Sequence, residues 1–263
     1  MPKCRLCLEE KSKLQKKSHI IPSFMFKPLK RDKSFVEFTT KHIDEGKEPR
    51  TRFDGPHQGD LLCHDCETKL LSGFESYSSN LLYGGAITPE RLLPKAESRS
   101  EHLRLPHLVF SNIDYRKFKL FLLSVLWRSS ISTLPMFNEV HLGPHEERIR
   151  KIIFEGNPKD EDCYPIAIST YTHRVPSESY IVAPPLRLKM KDGYTVYLFL
   201  IGATFYMYFV LTKSRGSLEE IMKYTVNANG VLNVALTESE KELNAILRRY
   251  GLTVPASKFL GFK

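Results

Sequence analysis

Cys4-x-x-Cys7 at the start of the chain and Cys63-x-x-Cys66 far downstream account for four of its five cysteines. Paired Cys-x-x-Cys spacing is the pattern of a tetrahedral zinc site. A shared metal would pin two distant points of the backbone together before any core is considered. The opening residues carry no apolar run with a small-residue cleavage site, which predicts a cytoplasmic protein with reduced thiols. In that setting the pairs read as metal ligands and not as a disulfide framework. Four protein ligands leave no open coordination position, so the expected zinc is structural. His57 and His64 are alternatives for one ligand position, and Cys163 reads as a bystander.

Charge points toward a polyanionic partner. The formal net charge is +9, and the excess is concentrated early. Lys3, Arg5, Lys11, Lys13, Lys16, Lys17, Lys27, Lys30, Arg31 and Lys33 face only Glu9, Glu10 and Asp32. A positive field around the metal-binding segment attracts phosphates and makes binding fall with salt. Composition alone is equally consistent with a solvated lysine-rich surface.

One uncharged run, Tyr194 to Leu211, approaches the length that spans a bilayer. Its tyrosines, its β-branched and aromatic residues, the Asp192-Gly193 turn before it and Gly202 within it predict two buried strands instead. No membrane association is expected.

The pattern divides the chain into a cysteine-bearing unit over 1–88 and an α+β region over 107–263, joined by a charged, proline-containing stretch. In the first unit Phe35 to Thr40 reads as a strand, and Leu70, Leu71 and Phe74 follow Cys66 at helical spacing. In the second, Asp114 can start a strongly apolar helix from Tyr115 to about Ser130, and a charged helix follows Pro144. Strands are expected near 166–171, 180–183, 194–201 and 204–211. Asn229-Gly230 predicts a hairpin between 224–226 and 231–234, and Thr237-x-x-Glu240 a capped terminal helix. The second region contains no recognisable catalytic motif.

Cys4-x-x-Cys7, then Ser18-His19-Ile20-Ile21-Pro22, then Leu61-Leu62-Cys63-x-x-Cys66 opening a helix together resemble the zinc-containing HNH endonucleases, over the first third of the chain. The whole also looks like uncharacterised bacterial proteins with an SHIIP segment. The resemblance implies a ββα-metal, treble-clef-like unit. A cysteine-bound zinc would brace it, and a second divalent ion, Mg2+ or Mn2+, would assist cleavage of phosphodiester bonds in DNA or RNA. It makes His19 the general base, taking a proton from the attacking water. Ser18 stands where the family has an aspartate ligand, Gln58 near its orienting asparagine, and Glu67 at its last metal-binding histidine. Glu67 is thus the expected ligand for the catalytic cation. Glu75 is a further candidate, and Asp60 and Asp65 are two more.

A second reading follows from the same departures. With Ser18 and Glu67 replacing two expected residues, the unit can instead be a catalytically inactive module that binds nucleic acid, a protein partner or a second copy of the chain. A third places an enzyme's chemistry in the α+β region.

Overall fold

The protein was analysed as a computed structural model that describes residues 1–26, 34–37, 50–83, 96–98, 103, 105–171, 181–190, 193–202, 204–210 and 218–237. It is a mixed α+β fold. The expected terminal helix, the end of the 35–40 strand and most of the expected joining stretch lie outside those residues.

The N-terminal unit is built on a small antiparallel ribbon. Strand β1 (Ser18–His19) pairs Ser18 with Gln58 and His19 with His57 of β4 (His57–Gln58). Between them in sequence, β2 (Phe35–Glu37) and β3 (Arg50–Arg52) form a second antiparallel pair. After β4 the chain enters a π-helical turn, Cys66–Leu71, which continues directly into α1, Ser72–Tyr83. Ser72 and Thr68 both bond back to carbonyls four residues earlier.

A large sheet forms the remainder. Strands β5 (Ala96–Ser98), β6 (His107–Phe110), β7 (Ile166–Tyr171), β8 (Ile181–Val182), β9 (Leu186–Lys189), β10 (Thr195–Ile201), β11 (Thr204–Val210) and β12 (Leu232–Thr237) are joined in it by β2 and β3. The order is β3-β2-β8-β10-β11-β7-β12-β6-β5, with β9 beside β10. Most pairs are antiparallel; β2 with β8 and β12 with β7 are parallel. The uncharged run does form two strands, β10 and β11, whose partners run from Thr195↔Val210 to Ile201↔Thr204. Gly202 takes φ +65° in the turn between them, a region open to glycine at little cost. Among the described residues no helix is long and apolar enough to cross a membrane.

The expected hairpin at Asn229-Gly230 is not formed. Its turn is present, with Gly230 at φ +77° and Val231 N–H donating to the side-chain oxygens of Asn227 and Asn229. The arms instead pair with other chain segments. Thr225 bridges Ala167, while β12 runs parallel to β7 and antiparallel to β6. Local turn chemistry is outweighed by these three longer-range pairings.

Helix α2, Tyr115–Ile131, is the central element, packed by α1 and by α3, Pro144–Glu155. Asp114 caps it by accepting from Lys117 N–H at 3.0 Å. Phe118, Phe121 and Trp127 are buried in one hydrophobic cluster that also takes in Leu6, Ile20, Leu62 and Leu71 from the cysteine unit and Ile168, Phe199 and Tyr206 from the sheet. The two regions therefore share a core. Arginines reach across it: Arg150 of α3 donates to the Leu6 carbonyl, and Arg128 of α2 donates to the His19 carbonyl at 2.8 Å.

Candidate metal centre and the histidine ribbon

The first cysteine pair sits in a tight knuckle. Leu8 N–H returns to the Cys4 carbonyl at 2.9 Å, Cys4 N–H donates to the Glu9 carbonyl at 3.0 Å, and Leu8 takes φ +63°. The second pair opens the π-helical turn, with Glu67 N–H donating to the Cys63 carbonyl at 3.1 Å. Arg5 N–H donates to the Leu61 carbonyl and Gln15 N–H to the Leu62 carbonyl, which sets the knuckle against the helix entry. One sulfur from each of Cys4, Cys7, Cys63 and Cys66 then lies within 4.8 Å of the others. This group can hold a metal ion such as zinc.

Its electrostatics suit that task. Cys63 N–H donates to Cys4 Sγ at 3.3 Å. Hydrogen bonding from Cys66, aided by backbone amides, pulls the Cys4 thiol down to about 4 against the effect of its burial. Cys66, facing that negative sulfur and buried, is pushed the other way. A cation among the four sulfurs removes this conflict by replacing the shared protons. His64 is outside the group, its Nδ1 accepting from Gln15 Nε2 at 3.0 Å; Cys163 is also apart, its thiol pushed up by burial.

Strand alternation gives Ser18 and His19 different surroundings. Successive strand residues point to opposite faces. Ser18 faces inward and is fully buried, while His19, half-buried, turns toward Asp54 and His57. The ligand atoms of His19, Asp54 and His57 lie within 4.8 Å of one another, a grouping that does not include Glu67. His19 Nε2 is 3.2 Å from Asp54 Oδ1, and the His19 and His57 rings meet edge-on with centroids 5.9 Å apart. Desolvation acts to raise the Asp54 carboxyl, but hydrogen bonds from Lys17 and His19 outweigh it and hold the group well below the ordinary carboxylate range. Asp54 is ionised at neutral pH.

On the inner face stands a different network. Arg128, fully buried, donates Nη1 to the His19 carbonyl, Nη2 to Ser124 Oγ at 3.2 Å and pairs with Glu75 Oε1 at 2.8 Å. Burial pushes the Glu67 carboxyl up, opposed by the positive charge of Arg128 and by the nearby Ser18 hydroxyl. No hydrogen bond of normal geometry joins those two residues, since Ser18 Oγ and Glu67 Oε2 are both buried without a partner. Two orphaned polar atoms of this kind suit an ordered water better than a dication beside a buried guanidinium.

Three other candidates, Gln58, Asp65 and Glu75, have structural partners. Gln58 Oε1 accepts from Ser132 Oγ at 3.0 Å and from Thr133 N–H at 2.9 Å, beyond the C-terminal end of α2, so its side chain braces a helix end. Asp65 pairs with Lys69 at 2.6 Å, and Glu75 belongs to Arg128. Two contributors were missed in sequence. Asp54 lay in a polar stretch without periodicity, although Asp54-Gly55-Pro56-His57 is a turn signal that places an acid three residues before a histidine. Arg128 lay in the apolar stretch of the helix after Lys119, where an arginine is itself the signal that a buried acid waits nearby.

No family model, curated protein or solved structure matches the chain.

Proposed function

We propose that the N-terminal unit is a zinc-braced, HNH-like phosphodiester hydrolase acting on nucleic acid, with His19 as general base. The observation that carries this reading is the 3.2 Å contact between His19 Nε2 and an ionised Asp54. If Nε2–H donates to the carboxylate, Nδ1 retains its lone pair, available to take a proton from water. The carboxylate then stabilises the imidazolium that forms. Support also comes from the order of elements: a short antiparallel ribbon is followed by a helix that begins at the second cysteine pair. Zinc on the four cysteines would supply rigidity and no reaction chemistry. Lysines 16 and 17, adjoining β1, provide positive charge for a phosphate.

In the HNH family a divalent cation neutralises charge on the phosphate and leaving oxygen. The Mg2+ or Mn2+ position that the resemblance implies, between Ser18 and Glu67, does not fit here. It offers a neutral hydroxyl and a carboxyl pushed toward its neutral form, with Arg128 already providing the positive charge. No step is assigned through it.

Purified full chain should nick plasmid DNA or cut single-stranded RNA. His19→Ala should lower the rate by about 10^2 to 10^4, the span of a lost general base, with zinc content unchanged. Equal cleavage by the variant would remove His19 from the mechanism. The positive charge that Arg128 already brings near Glu67 favours a second reading, an inactive module that binds nucleic acid or a protein partner. Salt-sensitive binding to the same substrates without cleavage would select it.

A further inference from the structure

We propose that His19, Asp54 and His57 form a second cation site, for a borderline divalent transition metal such as cobalt, nickel or zinc. The site lies on the outer face of the ribbon, distinct from the four cysteines. It goes beyond the hydrolase reading and does not depend on it: an ion on His19 Nε2 replaces the Nε2–H to Asp54 contact used there, so the metal-bound chain and the chain with His19 as base are alternative states.

Ligand number and type point to this class of ion. Two imidazoles and one carboxylate form a set used by three-ligand zinc sites and by other first-row metals, whereas magnesium and calcium prefer all-oxygen shells. Nitrogen and oxygen ligands about 2.0–2.1 Å from a tetrahedral ion sit roughly 3.3 Å apart. The His19 Nε2 to Asp54 Oδ1 separation is 3.2 Å, and His57 Nδ1 is 3.9 Å from Asp54 Oδ2. All three residues offer a ligand atom within 4.8 Å of the others, so a small rotation of the half-exposed His57 closes the set. Three ligands leave a fourth position open to water.

Backbone geometry supports the arrangement. His19 and His57 are directly opposed in the β1–β4 register, which sends both rings to one face. Gly55 N–H donates to Asp54 Oδ1 at 2.9 Å. His57 Nδ1 lies 3.0 Å from the Gly55 carbonyl, a hydrogen bond that the ring exchanges for the ion when that nitrogen ligates. Gly55 itself is clamped, since a Cβ there would come within 2.4 Å of the Phe26 ring. The acid-bearing turn is thus held in place from behind.

Lys17 is the competitor. Its ammonium pairs with Asp54 Oδ2, but both side chains are over a third exposed, so it can be displaced into solvent. This makes a directional prediction that a merely structural His–Asp contact does not: removing Lys17 should tighten the cation.

The test uses full-length protein carrying one equivalent of zinc, dialysed against Co2+. Metal is counted by mass spectrometry, and visible spectra are recorded. The expected result is a second equivalent giving weak ligand-field bands without intense sulfur charge transfer. Asp54→Asn and His57→Ala should each weaken it at least about tenfold, since even residues supporting a ligand cost that much. Lys17→Met, on an exposed side chain, should strengthen it. Retained zinc in each variant shows that the fold survives. A single equivalent in the wild-type chain, or a second one indifferent to all three substitutions, overturns the proposal. Cleavage is assayed separately: cobalt binding without nuclease activity defeats only the hydrolase reading, and activity without a second equivalent defeats only this one.

Discussion

The guanidinium of Arg128 donates to the backbone carbonyl of His19 at 2.8 Å, linking the last turn of the central helix to the strand that carries the candidate base. The same guanidinium binds Glu75 and lies near Glu67, so one buried cation serves three segments that are distant in sequence. The position of His19 therefore depends on a residue of the second region.

Arg128→Met should be among the most damaging single substitutions. It leaves Glu75 without its partner, removes the positive charge near Glu67 and frees the His19 carbonyl. Loss of one member of a buried pair costs about 3–5 kcal/mol. Urea denaturation of the full chain measures this, and Glu75→Gln in the same background should restore part of the loss. A variant as stable as wild type would mean that water compensates the acids.

Removing the metal should loosen the N-terminal unit. Cys63→Ser is expected to abolish tight zinc binding and lower stability by several kcal/mol, because binding energy at a structural site is folding energy. Zinc analysis and a thermal melt in the presence and absence of chelator check it. Full zinc content in the variant would show that the cysteines are not the binding site.

Stability should respond to pH in opposite senses through two acids. Burial pushes the Glu67 carboxyl up, so the folded state holds its proton more tightly than the unfolded chain. That contribution is complete below the ordinary glutamate value and is lost as pH rises through the raised one. Glu67→Gln should therefore stabilise the protein more at pH 7 than at about pH 4. Asp54, held down by Lys17 and His19 despite desolvation, contributes above the ordinary aspartate value and loses that contribution as pH falls toward its depressed one. Asp54→Asn should cost stability at pH 7 and little in acid, and the cost should be small because the pair is partly solvated. Matching urea midpoints at both pH values for either variant would contradict these assignments.

Gln58→Ala should behave as a structural lesion. It removes the acceptor for Ser132 Oγ and Thr133 N–H, worth about 1–2 kcal/mol for two hydrogen bonds. Any nuclease activity should fall only in proportion to folded protein. A selective loss of turnover at full stability would return Gln58 to the reacting centre.

What the sequence revealed followed the range of the interaction. The cysteine pairs, the helix over 115–131 and the strands over 166–171, 195–201 and 204–210 announce themselves through spacing, capping or β-branched and aromatic runs within a few residues. Asp54 and Arg128 do not. Their roles exist only because β1 pairs with β4 and α2 packs against α1, and neither relationship has a local pattern. The Asn229-Gly230 turn shows the converse, since a correct local signal predicted the wrong partner for its arms. His19 is legible as a candidate from its motif, whereas Asp54, 3.2 Å from its Nε2, has no comparable motif to mark it.

The parallel pairing of Val36 with Ile181 and Glu37 with Val182 gives the segment between the cysteine pairs a second anchorage. It is tethered by the thiol cluster at its ends and by a sheet ladder near its middle. Amide hydrogen exchange at β2 and β8 should consequently report on the metal centre, quickening together when zinc is withdrawn although neither strand supplies a ligand.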